Sequence, residues 1–153
     1  MRWLELRIPP VPLAAAFGAA MFGVSRVFPA ATFVIPGRAG LAIALAIVSA
    51  AVSLSGIVAF RANRTTVNPL KPDTAAVLVT RGSYRYSRNP MYLGFLLALT
   101  AWAIDLCNAM AVLFLPAFVA YMNRFQIEPE ERALLAKFGT TFSEYMTAVR
   151  RWI

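Results

Sequence analysis

The 153-residue sequence contains no histidine and only one cysteine, Cys107. Histidine is the commonest general base and metal ligand in proteins, and a lone cysteine has no partner for a disulfide within its own chain. A metal site is therefore not expected, and Cys107 is interpreted as a small apolar residue in a turn between helices. Any chemistry must use carboxylates, arginines and tyrosines, or a cofactor that carries its own reactivity.

Charged residues are also scarce. They make up 14% of the sequence, whereas 59% of the residues are hydrophobic, and the mean hydropathy is +0.63. A soluble domain has about 25% charged residues, so this composition predicts an integral membrane protein. The net charge of +8 does not indicate a nucleic acid partner, because the basic residues flank apolar runs, as they do beside anionic lipid.

Four apolar runs predict an all-α fold, a polytopic bundle of four transmembrane helices. The second run is long enough to cross a bilayer, whereas the last two have about 15 residues each and are joined by a short turn, which predicts a tight antiparallel hairpin. A double proline before the first run and the lack of a clear cleavage site argue against a signal peptide, so that run is interpreted as a retained span. The runs cover residues 12–28, 40–60, 90–104 and 109–122.

The charges outside these runs predict the orientation. Segment 61–89 carries six basic residues and segment 123–153 is also basic, whereas the hairpin turn carries only Asp105. Loops rich in lysine and arginine stay in the cytoplasm, which places both segments and both termini inside; Arg26 and Arg38 in the first outer loop are a weaker, opposing signal. We expect a protein of the bacterial inner membrane whose site faces the cytoplasm. The six basic residues are Arg61, Arg64, Lys71, Arg81, Arg85 and Arg88.

This layout divides the chain into two parts. Residues 1–60 supply two N-terminal transmembrane helices, which we interpret as packing elements and part of a lipid entrance. Residues 61–153 form the candidate functional core, with a cytoplasmic loop, the helical hairpin and a C-terminal amphipathic helix. The loop includes a β-prone stretch at 76–80, and the amphipathic helix is predicted within 127–145.

The predicted tail helix begins with acidic residues. Glu128 is a candidate cap and Pro129 a candidate first residue, and the helix dipole accounts for acids in the first turn without any function. Glu131, however, lies three, four and seven residues before apolar residues on one helix face. A carboxylate on such a face should be paired or bind a ligand, so we expect an arginine or a cationic ligand beside it. The apolar residues are Leu134, Leu135 and Phe138.

Arginine and tyrosine crowd the approach to the third apolar run, in the sequence SRNPMYLG. Asn89 is a candidate cap and Pro90 a candidate first residue of that helix, whose free N–H groups suit an anion. Arg88 adds a planar fork that matches a carboxylate, and flat faces and hydroxyls come from Tyr86 and Tyr92. An interfacial belt would also favour these residue types, but the whole cluster, on the same side as the tail acids, favours a binding site.

S-adenosylmethionine has the groups that such a site would recognise: a carboxylate, an adenine ring, a ribose diol and a positively charged sulfonium. Its methyl group is already activated, so a protein without histidine can use it. The remaining catalytic work is positioning and the exclusion of water. The residues permit this cofactor; they do not by themselves require it.

The stretch LVTRGSYRYSRNPMYLG and the tail IEPEERALLAKFGTTFSEYMTAVRRWI together resemble the isoprenylcysteine carboxyl methyltransferase family, which is related to the phospholipid N-methyltransferases. The resemblance covers residues 61–153. Each motif alone is weak, but the combination at this spacing is specific. The matching residues are Gly82 and Tyr84, the run from Arg88 to Gly94, Glu130-Glu131 with Leu134, Phe138-Gly139, and Phe142 with Tyr145.

The resemblance implies a methyltransferase that binds S-adenosylmethionine on the cytoplasmic side and acts on an amphiphilic acceptor, an isoprenoid-thioether carboxylate or a lipid, that enters from the bilayer. It implies catalytic roles for Arg124, which would hold an acceptor carboxylate or anchor the lipid interface, and for Glu131, which would assist if an amine must lose a proton. Asn89 stands where the isoprenylcysteine enzymes have histidine, so the acceptor is left open. The implied cofactor-binding residues are Gly82, Tyr84, Arg88, Asn89, Pro90, Tyr92, Glu130 and Glu131.

Two other classes fit parts of the sequence. Membrane sterol reductases share this C-terminal architecture but bind NADPH, whose extra phosphate would need a basic pocket, for which Arg124, Arg150 and Arg151 are candidates. A non-enzymatic membrane scaffold or lipid-binding subunit is the third hypothesis. The intact Arg88–Gly94 motif and the Glu130-Glu131 pair argue against it.

Overall fold

The computed structural model describes residues 5–62 and 77–153. Within these two ranges the chain is helical and contains no β-strand, only an isolated bridge between Thr32 and Asn108. The all-α prediction is therefore confirmed for the described residues. The predicted β-prone stretch forms no strand over residues 77–80, and its first residue, like Arg64 and Lys71 of the basic loop, lies outside the described ranges.

Seven α-helices make up most of the described chain. By length and composition, three helical stretches are long and apolar enough to cross a membrane, namely Pro10–Val27, Arg38–Ala59 and Ala109–Phe138, while the third predicted span is a shorter apolar helix. These stretches support the prediction of an integral membrane protein. The helices are α1 (Pro10–Val27), α2 (Arg38–Ala62), α3 (Pro90–Leu106), α4 (Ala109–Val112), α5 (Phe114–Met122), α6 (Glu128–Phe138) and α7 (Thr140–Ala148).

Helices α2 and α3 pack closely because small residues line their contact. The Ser49 hydroxyl donates a hydrogen bond to the Gly94 carbonyl at 2.8 Å. A Cβ atom added at Gly94 would lie only 1.9 Å from Ser53 Oγ, and one at Gly56 would lie 2.8 Å from Met91 Cγ. Small residues let membrane helices approach each other closely, and here they fix the start of α3 against α2.

The core lies where α1, α3 and α5 meet. Phe17 of α1 packs edge-on against Phe118 of α5, with ring centroids 5.3 Å apart, and Leu13, Met21 and Leu99 are buried in the same cluster. Edge-to-face aromatic pairs add to the dispersion energy of such contacts. The bundle thereby holds the start of α3 beside the end of α5, where the candidate site lies.

The predicted tight hairpin is present between α3 and α4. Cys107 adopts the left-handed conformation with a φ of 48° and is completely buried, as expected for a small apolar turn residue. Asn108 caps α4, because its Oδ1 accepts hydrogen bonds from the backbone N–H groups of Met110 and Ala111 at 3.0 and 3.3 Å. Its Nδ2 donates to the Phe28 carbonyl at 2.8 Å, which ties the hairpin to the end of α1.

The cap predicted at Glu128 is wrong. A π-helical turn, Asn123–Ile127, connects α5 directly to α6, and Glu128 lies in a continuous helical backbone rather than at a cap. Pro129 has no N–H to donate to the Phe125 carbonyl one turn earlier, and that carbonyl instead accepts from Leu6 N at 3.0 Å. The turn absorbs the proline without ending the helix. The break comes at Gly139, whose φ of 54° separates α6 from α7, so the tail 127–145 contains two helices.

Candidate active site

The first turn of α3 meets the first turn of α6. The Tyr92 hydroxyl donates a hydrogen bond of 2.5 Å to Glu130 Oε1, although the two residues are 38 positions apart in sequence. Pro90, the first residue of α3, is buried, and its ring lies near Gly56 of α2. The continuous α5–α6 helix and the α2–α3 packing thus bring the tyrosine and the tail acid together.

Glu131, the next residue, forms two ion pairs. Its Oε1 lies 3.2 Å from Arg88 Nη2, and Arg151 donates to the same carboxylate from Nε at 3.2 Å and from Nη2 at 2.6 Å. The hydrogen bond to Glu131 raises the pKa of Arg151. Of the two partners expected for Glu131, an arginine or a cationic ligand, the protein itself supplies arginines.

Only Nη2 of the Arg88 guanidinium group takes part in this ion pair. Its side chain is 13% exposed, and its Nε and Nη1 atoms are buried without a hydrogen-bond partner among the described residues. A buried guanidinium group usually has its N–H groups satisfied, because leaving them unpaired is costly. Nε and Nη1 lie on different sides of the guanidinium group, so each is available to donate a hydrogen bond to an oxygen of an anionic group.

The C-terminal residues lie against the segment before α3. Arg88 N donates to the Arg150 carbonyl at 3.0 Å, and Asn89 Nδ2 donates to the Arg151 carbonyl at 3.0 Å. Asn89 is at the N-cap position of α3, as predicted, but its side chain makes no capping bond. The capping role predicted for that side chain is wrong, because its amide group holds the C-terminal segment instead.

The turn Gly82–Arg85 contacts α7. Gly82 has a φ of 66°, which favours glycine. Tyr84 is buried, and Tyr145 of α7 donates to its backbone carbonyl at 2.7 Å. Burial is the main cause that raises the pKa of both tyrosines, so both stay neutral at physiological pH. Tyr86, by contrast, is 79% exposed, and the contribution expected from its ring is not seen.

Arg124 belongs to a different set of contacts. Its Nη1 lies 3.1 Å from Glu5 Oε1 and 3.7 Å from Glu128 Oε2, and the side chain is 46% exposed. Arg151 pairs with Glu131 instead. Two of the three basic residues suggested for an NADPH phosphate, Arg124 and Arg151, thus pair with different carboxylates.

Residues 38–141 match the phospholipid methyltransferase family. The chain belongs to this family. An uncharacterized protein of Haemophilus influenzae is 44% identical over 63 residues, which is 41% of this chain and the full length of that protein. Methanethiol S-methyltransferase 2 of Bradyrhizobium diazoefficiens is 41% identical over 66 residues, which is 43% of this chain but only 24% of that enzyme. The resemblance to membrane methyltransferases is confirmed, and this chain spans about a quarter of the second relative.

In this member of the phospholipid methyltransferase family, the structure brings together Arg88, Tyr92, Glu130 and Glu131 by direct contact. Sequence reasoning missed Arg151 as the second partner of Glu131, since it was considered only for a phosphate. It also assigned no contact to Glu5. The signal for Arg151 was weak: a basic pair near the C-terminus that balances the tail acids. Among the described residues there is no cluster of three metal-ligating side chains.

Proposed function

We propose that this chain is an integral membrane methyltransferase that uses S-adenosylmethionine, similar to the isoprenylcysteine carboxyl methyltransferases. In this proposal four transmembrane helices cross the bacterial inner membrane, with α3 as the shorter third span, and the tail helices and the active site face the cytoplasm. Residues 61–153 carry every proposed cofactor contact, and the first two helices support them. Family membership and the contacts between α3 and α6 support the proposal.

The observation that supports it most directly is that two donors of Arg88, Nε and Nη1, are buried without a partner among the described residues. A carboxylate oxygen can accept a hydrogen bond from either of them. The nearby carboxylate of Glu130 suits a hydroxyl group or a positive centre, while Glu131 holds the arginines in place. The residues present therefore match the charged groups of S-adenosylmethionine. The proposed binding residues are Gly82, Tyr84, Arg88, Asn89, Pro90, Tyr92, Glu130 and Glu131.

The bound cofactor would supply an already activated methyl group, so the protein's work is to bind, orient and exclude water. The ion pairs of Glu131 with Arg88 and Arg151 fix the arginine fork in place. A carboxylate or thiolate acceptor needs no general base. An amine must first lose a proton; Glu131 is committed to two arginines, so Glu130, held by Tyr92 alone among the described residues, is better placed to accept it.

The acceptor is proposed to be amphiphilic, a lipid or an isoprenoid-thioether carboxylate, that reaches the site from the bilayer. Arg124 would then bind an acceptor anion or anchor the interface. A thiol is a second class of acceptor, because one relative is named a methanethiol S-methyltransferase.

The test is to incubate the purified protein with methyl-labelled S-adenosylmethionine and, in separate reactions, a total lipid extract and methanethiol. We expect label in one of these acceptors, and a variant with Glu131→Gln should transfer much less. A parallel titration with NADPH tests the reductase hypothesis, which predicts that the protein binds this cofactor. No transfer to either acceptor and no binding of the labelled cofactor would refute the proposal and favour a scaffold role.

A further inference from the structure

The segment before α1 is docked onto the π turn. Leu6 N donates to the Phe125 carbonyl at 3.0 Å, and Gln126 Nε2 donates to the Ile8 carbonyl at 2.8 Å. The first of these bonds exists because Pro129 leaves the Phe125 carbonyl without its helical partner. We call residues 5–9 the N-terminal strap.

The strap places one carboxylate between two arginines. Glu5 Oε1 lies 3.1 Å from Arg124 Nη1, and Glu5 Oε2 is hydrogen-bonded to Arg132 Nη2. The Glu5 side chain is 14% exposed, whereas the arginines are 46% and 56% exposed. Two guanidinium groups from one continuous helical stretch that converge on one carboxylate form the geometry in which a single oxyanion is bound by two cations.

The position of the two arginines along the chain indicates which anion they can meet. Arg124 lies two residues after the end of the apolar helix α5, where the chain passes from apolar to charged sequence; in a membrane helix such a boundary faces the headgroup phosphates. Half-exposed ion pairs of this kind contribute little to stability, since water and salt compete with them. The docked strap also has an unfavourable backbone conformation at one residue, because Leu6 is a non-glycine residue with a φ of 55°.

We propose that Arg124 and Arg132 form a binding site for a phosphate group, that of an anionic lipid, and that Glu5 occupies this site as an internal carboxylate until the phosphate displaces it. Binding then releases the strap from the π turn. Glu128, 3.7 Å from Arg124, remains to orient that arginine. This site does not include the contacts of Glu130 and Glu131. The proposal develops the interface-anchoring role of Arg124 and holds whether or not the chain transfers methyl groups.

The experiment measures the unfolding temperature of the purified full chain in a nonionic detergent with added phosphatidylglycerol, with phosphatidylcholine of the same acyl chains, or with inorganic phosphate. We expect phosphatidylglycerol to raise Tm by roughly 3 °C more than phosphatidylcholine, because a ligand that binds only the folded state stabilises it. The rise should be larger in Glu5→Gln, which removes the internal competitor, and absent in Arg132→Gln. Arg61→Gln, at the exposed end of α2, is the matched control and should behave as wild type.

A second readout follows the strap directly. Trypsin cleavage after Arg7, identified by mass, should become faster when phosphatidylglycerol is added and should be fast without lipid in Glu5→Gln. An equal effect of inorganic phosphate supports the site but assigns it to free anions rather than lipid. Equal effects of both lipids, or a wild-type response in Arg132→Gln by both readouts, would overturn the proposal.

Discussion

Arg88 is the residue on which the proposed cofactor site depends most. Its Nη2 is paired with Glu131, while Nε and Nη1 are buried without a partner in the part of the chain that the structure describes. The sequence predicted this residue from local features, because an arginine beside a Pro-initiated helix suits an anion. It did not predict which donors of Arg88 would be paired, since that depends on Glu131, a residue distant in sequence.

Arg88→Gln should weaken S-adenosylmethionine binding by ~10-fold or more, because a charged hydrogen bond to the cofactor carboxylate is lost. Binding of decarboxylated S-adenosylmethionine, which lacks that group, should change little. Calorimetric titration of both ligands measures the difference. Arg85→Gln, an exposed neighbour, is the control. Equal losses for both ligands would show that Arg88 does not bind a carboxylate.

Glu131→Gln should destabilise the protein by about 2 kcal/mol, because it leaves a buried Arg88 charge without its partner while the amide oxygen retains one hydrogen bond. Glu144→Gln, exposed on α7, should leave stability unchanged. Denaturation of both variants in detergent checks this. A stability equal to wild type in Glu131→Gln would mean that the ion pairs are not formed in solution.

The helices themselves could be predicted better than their connections. Run length and the turn residues predicted α1, α2, α3 and the hairpin within a few residues, since these depend on local hydropathy. The continuous passage from α5 to α6 could not be predicted, because Pro129 suits a helix start as well as it suits a π turn. The freed Phe125 carbonyl accepts a hydrogen bond from a distant donor, Leu6 N, which local sequence does not reveal.

Gly94→Ala should destabilise the α2–α3 contact by about 1–3 kcal/mol, since the new Cβ would lie 1.9 Å from Ser53 Oγ. Ser53→Ala in the same chain should recover part of this loss, because it removes the atom that clashes. Gly40→Ala, where a Cβ meets nothing within 4 Å, is the matched control. Thermal unfolding in detergent measures all of these. A Gly94→Ala variant as stable as wild type would contradict the close packing.

At the scale of the whole molecule, the proposed topology places the α3–α4 turn outside and the tail helices inside. Hydropathy and charge predicted this arrangement, but they do not fix the partners of the tail, which come from residues far apart in sequence. The site exists only when α2, α3, α6 and the C-terminal residues are assembled together.

The topology predicts that a membrane-impermeant maleimide will label Ala109→Cys, but not Thr141→Cys, in intact spheroplasts. Both positions are exposed, and the native Cys107 is buried, so wild type serves as the unlabelled control. Permeabilised spheroplasts should label both variants. Labelling of Thr141→Cys without permeabilisation would place the proposed active site on the outer face.

The central claim is that the start of α3 and the start of α6 act as one site for S-adenosylmethionine. The most direct test is a double-mutant cycle on cofactor affinity, measured by calorimetry with wild type, Arg88→Gln, Glu131→Gln and the double variant. We predict saturable binding to wild type and a coupling energy above about 1 kcal/mol between the two positions. Additive losses, or no binding to the wild-type protein, would contradict the account.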